Sequence, residues 1–237
     1  MLNETFYLDC VDARSVGICL QSHMSFSDAV PVFEAQTIPG RNGDLIWETG
    51  SYENRSGSAS CFCLKKDVEK DVSLAGRFLM SKKGYRRLET SDDPDHYWMA
   101  RVENSPQIAM RLRTLAPFEI SFDCKPQRFL KSGDVSMHFT EKKFSLYNIY
   151  GQTALPKITV YGNGAGRLII GETVVEIKNL DGLLHLDSET QNAYNDFINL
   201  NNSINAPKFP VFNPGEVPIE FDGGISSVMI IPRWWEI

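Results

Sequence analysis

The sequence predicts a mainly β protein with one α-helix in its first half, followed by a β-sandwich. Three observations carry this. Apolar runs bounded by Gly, Pro, Asn and Asp recur from about residue 135 to the end, at the spacing of sandwich strands. One earlier stretch has helical spacing, Val68, Val72, Ala75 and Leu79. Between these regions, residues 125–134 (KPQRFLKSGD) are basic, turn-rich and non-periodic, as a linker would be.

The elements follow in order. Thr5–Leu8 and Val16–Leu20 are β-type runs. Asn42-Gly43, after Pro39-Gly40-Arg41, predicts a type I′ hairpin, which needs positive φ at both centres. Residues 60–64 form another strand. The helix is expected over Val68–Lys82, with Asp67 as N-cap, Lys82 and Lys83 at its negative end and Gly84 as C′ residue. Leu88–Thr90 leads into an Asp-Pro turn, and Pro117–Cys124 alternates Phe118, Ile120 and Phe122 on one face.

In the second half the expected strands are Val135–Phe139, Phe144–Tyr147, Lys157–Tyr161, Arg167–Ile170, Thr173–Ile177, Leu183–Leu186, one around Ile219 and Phe221, and Val228–Ile231. Gly162–Gly166, Asp181-Gly182 and Asp222-Gly223-Gly224 read as hairpin turns. Asn213-Pro214-Gly215-Glu216 suits a type II turn, with Pro214 fixing φ and Gly215 supplying the positive φ. Pro218 places its strand at an edge or delays its pairing. Residues 188–206 read as a polar excursion anchored by Phe197, Ile198 and Leu200, with a short helix at Thr190–Ile198.

Length and composition bound the function. A chain of 237 residues buries a real core, roughly 70–75% of its unfolded surface. A net charge of −6 gives no basic balance for nucleic acid. No apolar run reaches the ~18–20 residues that span a bilayer. Met1-Leu2-Asn3-Glu4 lacks a signal peptide's basic start, so synthesis in a reducing cytoplasm is expected. Five scattered cysteines agree with that.

Motifs with chemical meaning are weighed one by one. Cys61 and Cys63, facing one side of a strand, with Cys19 and His23, offer at best an irregular metal set; without paired Cys-x-x-Cys spacing they read as buried thiols. Arg41 reads as a turn-flanking surface residue, because no phosphate-cradling helix start follows it. Gly162–Gly166 misses the Gly-x-Gly-x-x-Gly pattern and precedes a β-rich run, not a helix. Asp92, Asp93, Asp95 and His96 lack a calcium-loop pattern. His23, His96, His138 and His185 sit in unrelated contexts, and there is no Gly-x-Ser-x-Gly elbow. No catalytic, cofactor-binding or metal-binding residue is assigned, no cofactor is expected, and the chain is read as a non-enzyme.

One ordered set of residues goes further. Asp187-Ser188-Glu189-Thr190, Tyr194, Phe209-Pro210, Asn213-Pro214-Gly215-Glu216, Gly223 and Pro232-Arg233-Trp234 follow one another over about fifty residues. With Pro39-Gly40-Arg41 and the helix ended by Gly84, this resembles the distal tail protein (Dit) family of siphophages, the long-tailed, non-contractile bacteriophages. The resemblance implies a structural phage or prophage protein of the tail tip and baseplate hub. It implies a ring-forming, β-barrel-like N-terminal domain over 1–128, completed by 229–237, and a galectin-like β-sandwich over 129–228. It implies a homohexameric ring, single or stacked, between the tail tube protein and a tail fibre or tail-associated lysin, with a receptor-binding protein as a further partner. It also implies a virion location, synthesis in the host cytoplasm, DNA passing through the bore without specific binding, and no membrane insertion. An acidic bore formed by the N-terminal half would repel phosphate and let DNA slide. The second reading is a carbohydrate-binding sandwich that recognises host-wall polysaccharide through exposed Trp47, Trp98, Trp234 or Trp235.

Overall fold

The computed structural model describes residues 4–63, 68–104, 116–196 and 198–237. The protein is mainly β, with one α-helix among these residues. It divides into two compact units, one running up to Arg128 and including Ile237, the other Phe129–Glu236.

The first unit contains β1 (Phe6–Leu8), β2 (Val11–Asp12), β3 (Ile18–Leu20), β4 (Ser25–Phe26), β5 (Pro31–Gln36), β6 (Leu45–Tyr52), β7 (Arg55–Cys63), α1 (Val68–Met80), β8 (Arg86–Thr90), β9 (His96–Val102) and β10 (Ala116–Leu130). One sheet runs in the order β2-β1-β8-β9-β10-β7-β3, with β4 also on β7. Strand alternation builds its core: Ile120 lies opposite Ala59 and Phe118 opposite Cys61, all four turned inward with Phe6, Leu8, Leu88 and Phe122. The helix adds Ala75 and Leu79, four residues apart, to that core. Beyond its end, Arg86 Nη1 donates to the Phe78 carbonyl at 2.7 Å, and Gly84 turns the chain at φ 86°. Asp67 and the side chains of Val68 and Val72 lie outside the described residues, as does Phe197.

Residues 125–134 do not form a linker. Residues 125–130 continue β10, and Lys131–Asp134 is a 3-10 turn. Arg128 donates to Asp93 at 2.8 Å and Leu130 N–H to the Trp234 carbonyl at 3.0 Å, so specific partners order a stretch whose composition is that of a loop.

The second unit contains β11 (Met137–Phe139), β12 (Lys143–Asn148), β13 (Lys157–Ile170), β14 (Thr173–Asp187), β15 (Asn192–Asn195), β16 (Ile198–Asn199), β17 (Ile204–Asn205), β18 (Gly215–Ile231) and β19 (Trp235–Glu236). The six runs expected as separate strands are only three. Gly162–Gly166, Asp181-Gly182 and Asp222-Gly223-Gly224 are not hairpins but lie inside β13, β14 and β18. They lie side by side: Gly162 is opposite Gly182 and Ile225, and Gly166 opposite Gly223. Register shifts at Gly162, Gly164 and Gly166 mark bulges. The backbones there nearly touch. A Cβ on Gly162 would stand 2.0 Å from the Gly224 carbonyl oxygen, and one on Gly224 would stand 2.1 Å from that of Asn163.

This glycine waist splits the sheet into two halves. On one side the order is β11-β18-β13-β14-β15-β16; on the other β12 and β17 are the outer neighbours. Inward residues from both halves, Val160, Leu186 and Ile230 with Leu168, Val175 and Phe221, join one core, as the two layers of a sandwich do. Pro218 precedes the first residue paired with β13, Ile219. The helix expected at Thr190–Ile198 is instead a small hairpin, β15 with β16, since Gln191 and Asp196 take positive φ (50° and 46°). Met229–Ile231 end β18 in this unit, and only Ile237 groups with the first.

Candidate functional site

The two ends of the C-terminal run quoted above, residues 187–190 and Arg233-Trp234, meet in one lock. Asp187 ends β14. Its Oδ1 accepts the backbone N–H of Glu189 at 3.1 Å, an Asx-turn that explains the Asp-Ser-Glu-Thr sequence. Arg233 donates to both carboxylate oxygens, Nη1 to Oδ1 at 2.7 Å and Nη2 to Oδ2 at 2.9 Å. Burial alone would raise the Asp187 pKa. The Arg233 hydrogen bonds and charge outweigh it, helped by the Thr190 and Glu189 N–H groups, and hold the carboxyl below its usual range.

Arg233 sits at φ 54°, and its own N–H donates to the Gly133 carbonyl at 2.9 Å. Gly133 lies so close that a Cβ there would stand 2.3 Å from the Trp234 nitrogen. The buried Trp234 ring packs 5.6 Å from Phe212, whose backbone exchanges both hydrogen bonds with Ala154 at 2.9 Å. Trp235 Nε1 donates to the Thr153 carbonyl at 3.0 Å. All of these bonds are internal; the lock ties down the end of the chain.

The other weighed residues are also placed. Cys61 and Cys63 are fully buried, and burial, then the neighbouring Cys63 and Cys19, pushes the Cys61 thiol up to about 12. Among the described residues, no three His, Cys, Asp or Glu side chains are grouped to hold a metal ion. The four histidines stay apart. His23 pairs with Glu4 at 2.9 Å, His96 with Asp93 at 2.7 Å, His138 with Ser227 at 3.1 Å and His185 with Thr159 at 2.9 Å. Arg41 lies exposed in the β5–β6 loop. Of the tryptophans named for sugar stacking, Trp98 and Trp234 are buried, Trp235 is half-buried, and only Trp47 is exposed. An open cleft of about 760 Å³ beside the β13–β14 turn is lined by Glu172, Thr173, Lys208, Asn213 and Glu216 among others, and has no aromatic ring in its wall.

A second feature is the arm formed by β5 and β6: Asn42-Gly43 announced a hairpin here, but not that its faces stay bare. Among the described residues the two strands pair only with each other, through Phe33–Glu48, Glu34–Trp47 and Ala35–Ile46. The connection is not the expected type I′ turn: residues 37–44 form a longer loop, in which Gly40 (85°) and Gly43 (79°) have positive φ. Phe33 is 51% exposed, Ile46 61% and Trp47 43%. Large apolar side chains on both faces of a two-stranded ribbon mark an interaction surface. The signal was present in the apolar run Leu45-Ile46-Trp47, but such a run does not tell which face stays uncovered.

No helix among the described residues is long and apolar enough to cross a membrane. No protein-family model and no curated protein matches the sequence. The fold does match a solved structure. It superposes on the crystal structure of SPP1 Dit (gp 19.1), described as a paradigm of the hub adsorption apparatus of phages infecting Gram-positive bacteria. The TM-score is 0.67 and the identity 13%, with 98% of each chain covered.

Proposed function

We propose that this chain is a Dit-type hub protein of a siphophage or prophage tail tip, a structural protein and not an enzyme. The observation that carries the reading is the match of the whole chain, both units together, to a phage hub protein. The order of the C-terminal residues supports it as well, since the two ends of that run, Asp187 and Arg233, are joined by a bidentate ion pair. In this reading six copies form a ring between the tail tube and the tail fibre or tail-associated lysin, and DNA crosses the bore. The first unit makes the ring, and the second is the galectin-like domain that projects from it.

The bore is formed, in this reading, by acidic residues of the N-terminal half. The best-suited surface is the face of the first sheet turned away from its core. Its charges are paired, Arg101 with Asp123 at 2.6 Å and Arg87 with Glu89 at 2.7 Å, and Ser56, Ser58 and Ser60 lie opposite Asp123, Ser121 and Glu119. Such a wall offers phosphates no net cation to clamp them.

Light scattering and negative-stain microscopy of the purified protein test the reading. The expected particle is a six-fold ring near six times 26.8 kDa. A monomer at every concentration would overturn the self-assembling ring.

A further inference from the structure

We propose that Asn42 is a site of spontaneous covalent modification: its side-chain amide is lost to attack by the Gly43 backbone nitrogen, which leaves aspartate or isoaspartate in the loop that joins β5 and β6. The reaction uses only the chemistry of this loop and does not depend on the ring.

The step needs three things, and the loop supplies each. The attacking nitrogen must be unhindered, and Gly43 has no side chain beside it. The chain must be free to bring that nitrogen onto the Asn42 side-chain carbon. No hydrogen bond to a described residue holds Asn42 or Gly43. The turn before them is closed by the Arg41 N–H on the Ile38 carbonyl at 3.1 Å, and the loop ends are joined by Thr37 Oγ1 on Asp44 Oδ1 at 2.7 Å. Water must reach the product, and residues 37–44 are all exposed.

The atoms balance with water alone. The Gly43 nitrogen gives its proton to solvent and bonds to Asn42 Cγ. The Cγ–Nδ2 bond breaks, and Nδ2 leaves as ammonia. Water then opens the cyclic succinimide. Opening at the former side-chain carbonyl gives aspartate. Opening at the main-chain carbonyl gives isoaspartate, which routes the main chain through the side-chain methylene. Either product adds a negative charge to a chain of net charge −6, two residues from the Asp44 carboxylate.

The same chain holds its own control. Asn163-Gly164 is the other Asn-Gly pair, and Asn163 is exposed too. It lies inside β13 opposite Asp181, however. Its Oδ1 accepts the Gly182 N–H at 3.4 Å, and its carbonyl is pressed against Gly224. The strand must open before Asn163 can turn onto Gly164. At Asn54 the side-chain amide is held by Tyr85 and Asp123, and at Asn213 the following Pro214 has no N–H to react.

The test holds the purified full chain at neutral and at mildly alkaline pH, then reads its peptides by tandem mass spectrometry, with circular dichroism checking that it stays folded. The expected result is a gain of about 1 Da on Asn42, faster at the higher pH because the attacking nitrogen must lose a proton. Conversion of Asn163 is expected to be at least about tenfold slower in the folded protein, and within about twofold of Asn42 in urea, where no strand holds it. Asn42→Gln is expected to remove the acidic product that builds up on anion exchange, and Asn42→Asp to elute with that product from the start. If Asn42 stays intact in the folded protein, if Asn163 converts as fast there, or if the gap persists in urea, the loop geometry does not select Asn42 and the proposal falls.

Discussion

At the scale of single residues, Asp187 and Arg233 show how a nearly buried carboxylate is held in a fold by a forked partner. The Asp187 side chain is 9% exposed and that of Arg233 is 23% exposed, and the two are joined by a bidentate pair. Removing the guanidinium leaves a nearly buried charge with only backbone donors. Arg233→Ala is expected to destabilise the second unit by about 3 kcal/mol in urea unfolding. Arg233→Lys is expected to recover less than half, since an ammonium cannot make the fork. The pH dependence follows with its sign. Burial works against ionisation of Asp9, Asp12, Asp123 and Asp187, but hydrogen bonds from Lys82 and Arg86, from Arg14 and Thr5, from Arg101, and from Arg233 win. All four folded pKa values lie below that of the free side chain. Their stabilisation is present above the unfolded value of about 3.9 and is lost as pH falls through the lower folded values. The urea midpoint is expected to fall steadily below about pH 4, and less steeply in Arg233→Ala.

At the scale of elements, the glycine waist separates two roles that glycine plays. Gly224 has no positive φ to explain it, but a Cβ there would sit 2.1 Å from the Asn163 carbonyl oxygen. Gly164 has φ 90° with nothing within 4 Å of a Cβ. Gly224→Ala therefore tests crowding alone and Gly164→Ala tests backbone conformation alone. The first is expected to lose about 3 kcal/mol, because two backbones must separate. The second is expected to lose about 1 kcal/mol. Thermal melts of the two variants check the order, and equal losses would mean that the strands can shift apart cheaply. The same waist explains why three strands were read as six. Gly-rich steps such as Asn163-Gly164 or Asp222-Gly223 look alike whether they close a hairpin or form a bulge in a strand that continues. Local chemistry was legible, but the partner strand decides between the two. The helix was legible because its inward stripe repeats within one element; the strands of the arm were not, because their uncovered face has the composition of a covered one.

At the scale of the whole molecule, the buried residues fall into two separate cores, one from Phe6 to Cys124 and one from Leu130 to Trp234. Two cores predict two unfolding transitions. Trp98 reports the first unit and Trp234 the second, so fluorescence of Trp98→Phe and Trp234→Phe variants is expected to resolve different midpoints. Arg233→Ala is expected to move only the second. One shared midpoint for every probe would mean that the units unfold as one.

The sequence by itself determined the mainly β class, the helix with its buried Ala75 and Leu79, and the order of residues from Asp187 to Trp234 that resembles the Dit family. Each of these is written in local periodicity or in chain order, which do not depend on what lies across the sheet. Only the tertiary structure decided that three glycine stretches meet at one waist, that Asp187 and Arg233 form a lock, and that the β5–β6 arm is left bare. Those facts depend on which strands become neighbours. Pairing joins residues such as Gly162 and Ile225, far apart in the chain, and no local pattern encodes the distance between them.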